Sequence, residues 1–412
     1  MAHSLSRRHM LGCCAAAAAG LFTSLTARAD EADPPPGDDL LTQTFAGLDP
    51  AALWDAHAHL LGTGDAGSGC SVHAHLQQWW HPIESLRKRV IMGAAGVPAD
   101  APSVDRAYVA RLRALTHDFP AGARWLLYAF DQAHDDQGQA RPDWSTFHVP
   151  NRYAAAVAAE QPERFAWVGS IHPYRSDAIE QLDRAIAEGA LAIKWLPSAM
   201  NIDMRDARVR PFYERLAAAD LPLIVHGGEE KAVPGVGRDE LGNPLLVRAA
   251  LERGVRVIVA HCASLGHALD LDARHPSPCP AFELFARLMD ESAWQGRLLG
   301  DVSAVFQANR RPAVWRSVLQ REDWHGRLLH GSDYPLPGVG PLYRLDRFVR
   351  AGLLPQADVP ALEALRRRNP LLFDLALKRR LRADGRGLSS SVFDTRAHLA
   401  CRVSKVSPSA TA

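Results

Sequence analysis

Two histidines separated by a single residue, His57 and His59, close a short apolar run in the segment Trp54-Asp55-Ala56-His57-Ala58-His59. Side chains on an extended strand alternate between faces, so residues two apart project the same way. A strand end of this kind can offer two imidazoles to one metal ion. Alone, a His-x-His pair says little. Three further apolar runs, however, end on a histidine or an acid: Leu221–His226, Arg256–His261 and Arg327–Asp333. Four strand ends, each delivering a nitrogen or oxygen ligand, describe a metal site at one rim of a parallel barrel.

The elements that must position these residues are legible as alternating short apolar runs and amphipathic stretches, the pattern of βαβ units. Strands are expected at Leu53–Leu60, Arg124–Phe130, Phe165–Ile171, Ala190–Leu196, Leu221–His226, Arg256–His261, Arg297–Val302 and Arg327–Ser332. Helical patterns fall between them at Asp177–Glu188, Val209–Ala219, Asn243–Arg253 and Ala281–Glu291. Runs such as Leu223-Ile224-Val225 and Val257-Ile258-Val259 are apolar on both faces, as buried parallel strands are. The expected fold is therefore α/β, a (β/α)8 TIM barrel over residues 53–383. Its first connection, Leu61 to Asp105, is long and glycine-rich and holds His73, His75, Trp79 and Trp80. A loop of that length on a barrel rim forms a lid or a substrate wall.

The ends of the chain read differently. Ser6-Arg7-Arg8 precedes an apolar stretch from Gly12 to Leu25 and then Ala27-Arg28-Ala29. This is the layout of an export signal of the twin-arginine type over residues 1–29. The run is too short and too rich in alanine and glycine to stay in a membrane as an anchor. A polar leader is expected over 30–52 and a flexible tail over 384–412. The mature chain is then periplasmic or secreted, with the twin-arginine machinery as a transient partner. An oxidising compartment permits disulfides among Cys70, Cys262, Cys279 and Cys401, but spacing does not fix their pairing. The chain has 412 residues, with 47 Lys+Arg against 46 Asp+Glu. That balance leaves no basic footprint for nucleic acid, and the expected partner is a small-molecule substrate.

The ordered set Trp54–His59, Ile193-Lys194, Leu223–His226, Val259-Ala260-His261 and His330-Gly331-Ser332-Asp333-Tyr334-Pro335 resembles the amidohydrolase superfamily. It is most similar to the branch containing aminocarboxymuconate-semialdehyde decarboxylase and related metal-dependent hydrolases. Asn369-Pro370-Leu371-Leu372-Phe373 looks like that branch's closing helix, so the resemblance runs from about Leu53 to Leu381. It implies one divalent metal ion, Zn2+ by preference with Mn2+ or Fe2+ as alternatives, bound by His57, His59, His226 and Asp333. Such an ion lowers the pKa of its water from about 15.7 to around 7. His261 resembles the family histidine beside the metal, which moves the proton or polarises the carbonyl. Lys194 either contacts an acidic substrate group or, as in binuclear members, is carboxylated and bridges two ions. His172, Arg175, Glu229 and Glu230 are candidate substrate neighbours, and Asp301 ends strand seven.

There is no Gly-x-Ser-x-Gly elbow and no Gly-x-Gly-x-x-Gly after a strand, which speaks against serine-hydrolase and dinucleotide chemistry. The reading is an exported metal-dependent hydrolase acting on an amide, ester or lactone carbonyl. The alternatives are a metal-dependent, non-oxidative decarboxylase of an unsaturated or aromatic acid, and an exported binding protein without catalysis.

Overall fold

The computed structural model describes residues 38–76, 82–233 and 236–399; the expected export signal, Trp79, Trp80 and Cys401 lie outside them. All eight apolar runs form strands: β1 Trp54–His59, β2 Arg124–Tyr128, β3 Phe165–Val168, β4 Ile193–Trp195, β5 Leu223–His226, β6 Val257–Ala260, β7 Leu298–Asp301 and β8 Leu328–Leu329. Strands β1 to β3 pair in parallel in one sheet and β4 to β8 in another. Both seams between the sheets are closed. Lys194 N donates to Gly169 O at 2.7 Å where β3 meets β4, and Ala56 N donates to His330 O at 2.9 Å where β8 returns to β1. Parallel bridges Gly169–Ile193 and Ala58–Tyr334 confirm the closure. The result is the expected eight-stranded barrel, without a sheet edge to protect.

Strand alternation divides the apolar residues between two cores. Trp54, Leu126, Val168, Ala192, Ile224, Ile258, Leu299 and Leu329 fill the barrel interior. Their neighbours, among them Leu223, Val225, Val257, Val259, Leu298 and Leu328, pack outward under the helices. Helices Ala178–Ala187, Arg210–Ala218 and Ala281–Asp290 match the amphipathic stretches in the sequence. The fourth stretch departs from expectation. Residues 243–253 form a 3-10 turn, Pro244–Val247, and a single helical turn, Arg248–Leu251. Asn243 caps this segment, its side chain accepting from Leu245 N at 3.0 Å.

Both ends of the barrel domain differ from the sequence reading. The expected polar leader contains a helix, Asp38–Phe45, with Leu40 buried in the outer core. Arg379 holds it by donating to the carbonyls of Thr44 and Ala46. The expected flexible tail is packed as far as Leu399, which joins the interior cluster. Trp54 N donates to Thr395 Oγ1 at 3.0 Å, and Arg256 Nη1 donates to His398 O at 2.8 Å. These anchors lie at the start of β1 and just before β6, so the segment plugs the barrel's N-terminal mouth. Three well-placed apolar residues, Val392, Phe393 and Leu399, are enough to fold it back, although its average composition is polar. Among the described residues no helix is long and apolar enough to cross a membrane.

Candidate metal centre

A local irregularity in β1 aims the histidine pair into the barrel. Trp54 and Ala56 already face the interior, so strict alternation would turn His57 outward. The β1–β2 register pairs Asp55 with Trp125 but Ala58 with Leu127, so β1 carries one extra residue between those points. Such a bulge re-aims the side chains that follow it. Ala58 and Leu60 then fall into the outer core, and His57 and His59 turn inward beside Tyr128. Gly331 completes the fit, because a Cβ there would lie 2.7 Å from His57 Cβ.

Around this point the ligand-type atoms converge. Atoms of His57, His59 and Asp333 lie within 4.8 Å of one another. His59 Nε2 is 3.1 Å and His57 Nε2 3.6 Å from Asp333 Oδ1. His57 also groups with His261 and Asp301 within the same limit, but there its Nδ1 is already bound to Asp301 Oδ2 at 2.9 Å. Its Nε2 is buried and makes no hydrogen bond. An imidazole held by a carboxylate at one nitrogen, with the other bare and facing acceptors, is the arrangement of a metal ligand with its outer partner. The first group is therefore the one that fits an ion. Burial, reinforced by Lys194, pushes the His57 pKa down to about 4, so the ring is neutral and its lone pair is available at pH 7.

The pKa values of the two acids are lowered by the groups they touch. Burial alone would raise Asp301, but the charge and hydrogen bond of His57, then His261 and Lys194, hold it well below the usual carboxylate range. Asp333 behaves likewise through His261, His59 and His57. Asp333 and His261 both sit in left-handed backbone, at φ 58° and φ 56°. Such conformations are costly for residues with a Cβ and cluster where a site demands a side-chain direction. His261 stacks on His57 with ring centroids 4.8 Å apart and lies edge-on to His226 at 5.2 Å. Its Nδ1 is taken by Ser303, 2.8 Å from Oγ and 3.0 Å from the carbonyl. Burial drives its pKa well below 6.5.

His226 closes β5 with its ring inside the barrel and its Nε2 buried without a hydrogen bond. Lys194 enters from β4 beside these groups. Its Nζ is also buried without a hydrogen bond and stands 5.5 Å from the centroid of the Tyr128 ring. Burial pushes its pKa down to about 8, against the pull of Asp301, Asp333 and Glu230.

The remaining candidates fall elsewhere. β3 ends at Val168, earlier than expected, so His172 sits in the following loop, where its Nε2 meets Met200 O at 2.7 Å. Arg175 is engaged by Asp177, donating at 2.8 and 2.9 Å, and by Asp131 at 3.5 Å. Neither belongs to the histidine cluster. Glu229 is exposed and pairs with Lys231; its neighbour Glu230 is the acid that approaches His226. His73 lies at the surface, its Nε2 3.2 Å from Asp143 O. Cys70, Cys262 and Cys279 are free thiols. Sequence reasoning missed Ser303, which reaches both His57 and His261. It also missed Arg310, which is buried and held by Ser264, Gln307 and Asn309. Both follow β7, and neither carries a spacing signal of its own.

A closed parallel barrel with histidines and aspartates gathered at the strand ends defines a class of metal-dependent enzyme. The family comparison agrees: the amidohydrolase model matches residues 54–371, and the chain belongs to that family. Its members are metal-dependent enzymes, and the chain carries a candidate group of metal-binding residues. Similar solved structures include an uncharacterised TIM-barrel protein from Bordetella bronchiseptica, 17% identical, TM-score 0.46, covering 79% of this chain and 99% of that one. A probable 2-pyrone-4,6-dicarboxylic acid hydrolase from Acinetobacter baumannii is 13% identical, TM-score 0.44, covering 78% and 99%. 5-Carboxyvanillate decarboxylase from Sphingomonas paucimobilis is 14% identical, TM-score 0.43, covering 75% and 95%. No curated protein compared with the chain matches it significantly.

Proposed function

We propose that the protein is an exported hydrolase that binds one divalent ion, Zn2+ by preference, and opens an amide, ester or lactone. The carrying observation is the His57 ring, bound to Asp301 at Nδ1 and bare at a buried Nε2 beside His59 and Asp333. His57, His59 and Asp333 are the residues that would hold the ion, with His226, whose bare Nε2 lies outside their 4.8 Å group, as the fourth ligand that the resemblance implies. The ion supplies Lewis acidity and a water that is nucleophilic near neutrality. The chain's own groups do the rest. Asp301 fixes the His57 tautomer, and Ser303 fixes the orientation of His261. With Nδ1 engaged, His261 presents its other nitrogen to the cluster, neutral at pH 7 and ready to take a proton from the attacking water. The bulged β1 and the turns at His261 and Asp333 keep these groups in place before substrate arrives.

One observation favours the second reading, decarboxylation of an unsaturated or aromatic acid. Lys194 and Arg310 are both buried, neither has a carboxylate within ion-pair distance among the described residues, and both feel the charges of Asp333 and Glu230. Buried cations without a counter-ion suit an anionic substrate. Turnover of matched lactones, esters, amides and aromatic acids by metal-loaded protein separates the two readings. Hydrolysis with no release of carbon dioxide supports the first; carbon dioxide release alone replaces it with the second.

A further inference from the structure

The loop after β7 carries a buried guanidinium that no acid compensates. Arg310 is 6% exposed. Its Nε donates to Ser264 Oγ at 3.0 Å, and its Nη1 donates to Gln307 Oε1 at 3.2 Å and to Asn309 Oδ1 at 2.7 Å. Every one of these acceptors is a neutral oxygen. They use all the hydrogens on Nε and Nη1, so Nη2 keeps its donors free among the described residues. By contrast, the half-buried Arg248 pairs with Asp272 and Glu291, and Arg366 with Glu363. A buried cation without a counter-ion is costly. A tie between loops would explain the bond to Ser264, but it needs no positive charge and makes no use of Nη2.

Backbone contacts place this charge on the rim that carries the histidine cluster. Ser264, which holds Nε, closes the turn begun by His261, its N donating to His261 O at 2.9 Å. Ala308 N donates to Leu342 O at 2.6 Å, which joins the loop to the one that follows Asp333. Burial lowers the Arg310 pKa, and the acid that opposes this most is Asp333. Tyr343 stands in the same group. Burial raises its pKa well above 10, so the hydroxyl keeps its proton and can donate. The Gln307 amide lies beside it, yet neither Gln307 Nε2 nor the Tyr343 hydroxyl completes a hydrogen bond, and both are buried. Buried donors of this kind are satisfied in a native protein, by a ligand where no protein group serves.

We propose that Arg310 anchors a carboxylate of the substrate through Nη2, with the Gln307 amide and the Tyr343 hydroxyl as neighbouring donors. The substrate of a hydrolytic reaction then bears a carboxylate in addition to the carbonyl that reacts. This assignment rests on the histidine cluster as the reacting centre and adds to it the chemical class of what binds there. Full-length protein, both Zn2+-loaded and chelator-stripped, is titrated calorimetrically with acetate, butyrate and benzoate, each against its neutral amide. Wild type is expected to bind at least one acid about 10-fold or more tighter than its amide, as a hydrogen bond to a charged group provides. Arg310→Met keeps the bulk of the stem and is expected to bring that acid and its amide within about twofold. Arg310→Lys restores charge without the planar fork and should recover only part of the preference. Circular dichroism checks that each variant is folded. Should Arg310→Met fail to fold, Tyr343→Phe decides: it removes a donor and no charge, and is expected to weaken the acid severalfold and the amide little, whereas unchanged acid binding overturns the assignment. A preference that survives in folded Arg310→Met places the carboxylate on the ion or on Lys194 and overturns it too, as does a wild type that prefers none of the acids. Zn2+ uptake by the wild type is read separately. Protein that takes up no ion but shows the Arg310-dependent preference overturns the metal-dependent reading and leaves the anchor standing.

Discussion

Replacing Asp301 with asparagine tests how the metal centre is prepared. Asp301 Oδ1 accepts from His261 N at 2.9 Å, from Ser303 N at 3.0 Å and from the Ser303 hydroxyl, while Oδ2 faces His57 Nδ1 at 2.9 Å. Asparagine has one acceptor oxygen for these two sides. The three donors around Oδ1 claim it, which turns the amide NH2 toward His57. The ring must then accept at Nδ1 and carry its proton on Nε2, the nitrogen the ion needs. Loss of an outer partner of this kind weakens metal binding by about 10–100-fold. At 1.36 kcal/mol per decade that is roughly 1.4–2.7 kcal/mol. Competition titration with a chromophoric chelator measures it on folded, stripped protein. Zn2+ affinity within twofold of wild type in Asp301→Asn would refute the reasoning, because the tautomer of His57 would then not depend on this carboxylate.

Three further outcomes are expected. Burial holds His172 at about 3 in the folded state against an ordinary 6.5, so the unfolded chain binds the extra proton between those values. Stability is then full above pH 6.5 and lost as pH falls toward 3, by about 2 kcal/mol at pH 5. His172→Gln should flatten that slope in denaturant unfolding at pH 7.5 and 5, and an unaltered slope would count against it. Truncation after Gly387 removes Val392, Phe393 and Leu399 from the core. At about 1.5–3 kcal/mol each, that is comparable with the whole stability of a domain. The truncated chain should be insoluble or melt far lower, whereas an unchanged Tm would mean the segment is dispensable. Replacing Arg7-Arg8 with Lys-Lys should trap precursor in the cytoplasm, because twin-arginine sorting reads the guanidinium groups; normal export of that variant points to another route.

The barrel was legible in the sequence because its strands are buried on both faces. Runs such as Val257–Ala260 therefore stand out without any help from tertiary context. The inward direction of His57 was legible only in part. Period two put His57 and His59 on one face, but the bulge that chooses the face has no mark in Asp55-Ala56-His57. Strand ends were harder still: three residues beyond Val168 were assigned to β3, and His172 and Arg175 lie in the loop that follows it. Adjacent acids were a coin toss, since the turn at Gly228 decides that Glu230 and not Glu229 meets His226. Composition misled at the C-terminus, where a few apolar residues in a polar segment plug the barrel.

Metal analysis of purified mature protein tests the central claim most directly. About one equivalent of a divalent ion should copurify, or be taken up by stripped protein with high affinity, as an open catalytic site requires. His57→Ala and Asp333→Ala should abolish that retention, and His73→Ala, at the surface, should not. Folded wild-type protein that takes up no ion, or equal loss from His73→Ala, would contradict the assignment of this cluster as the metal centre.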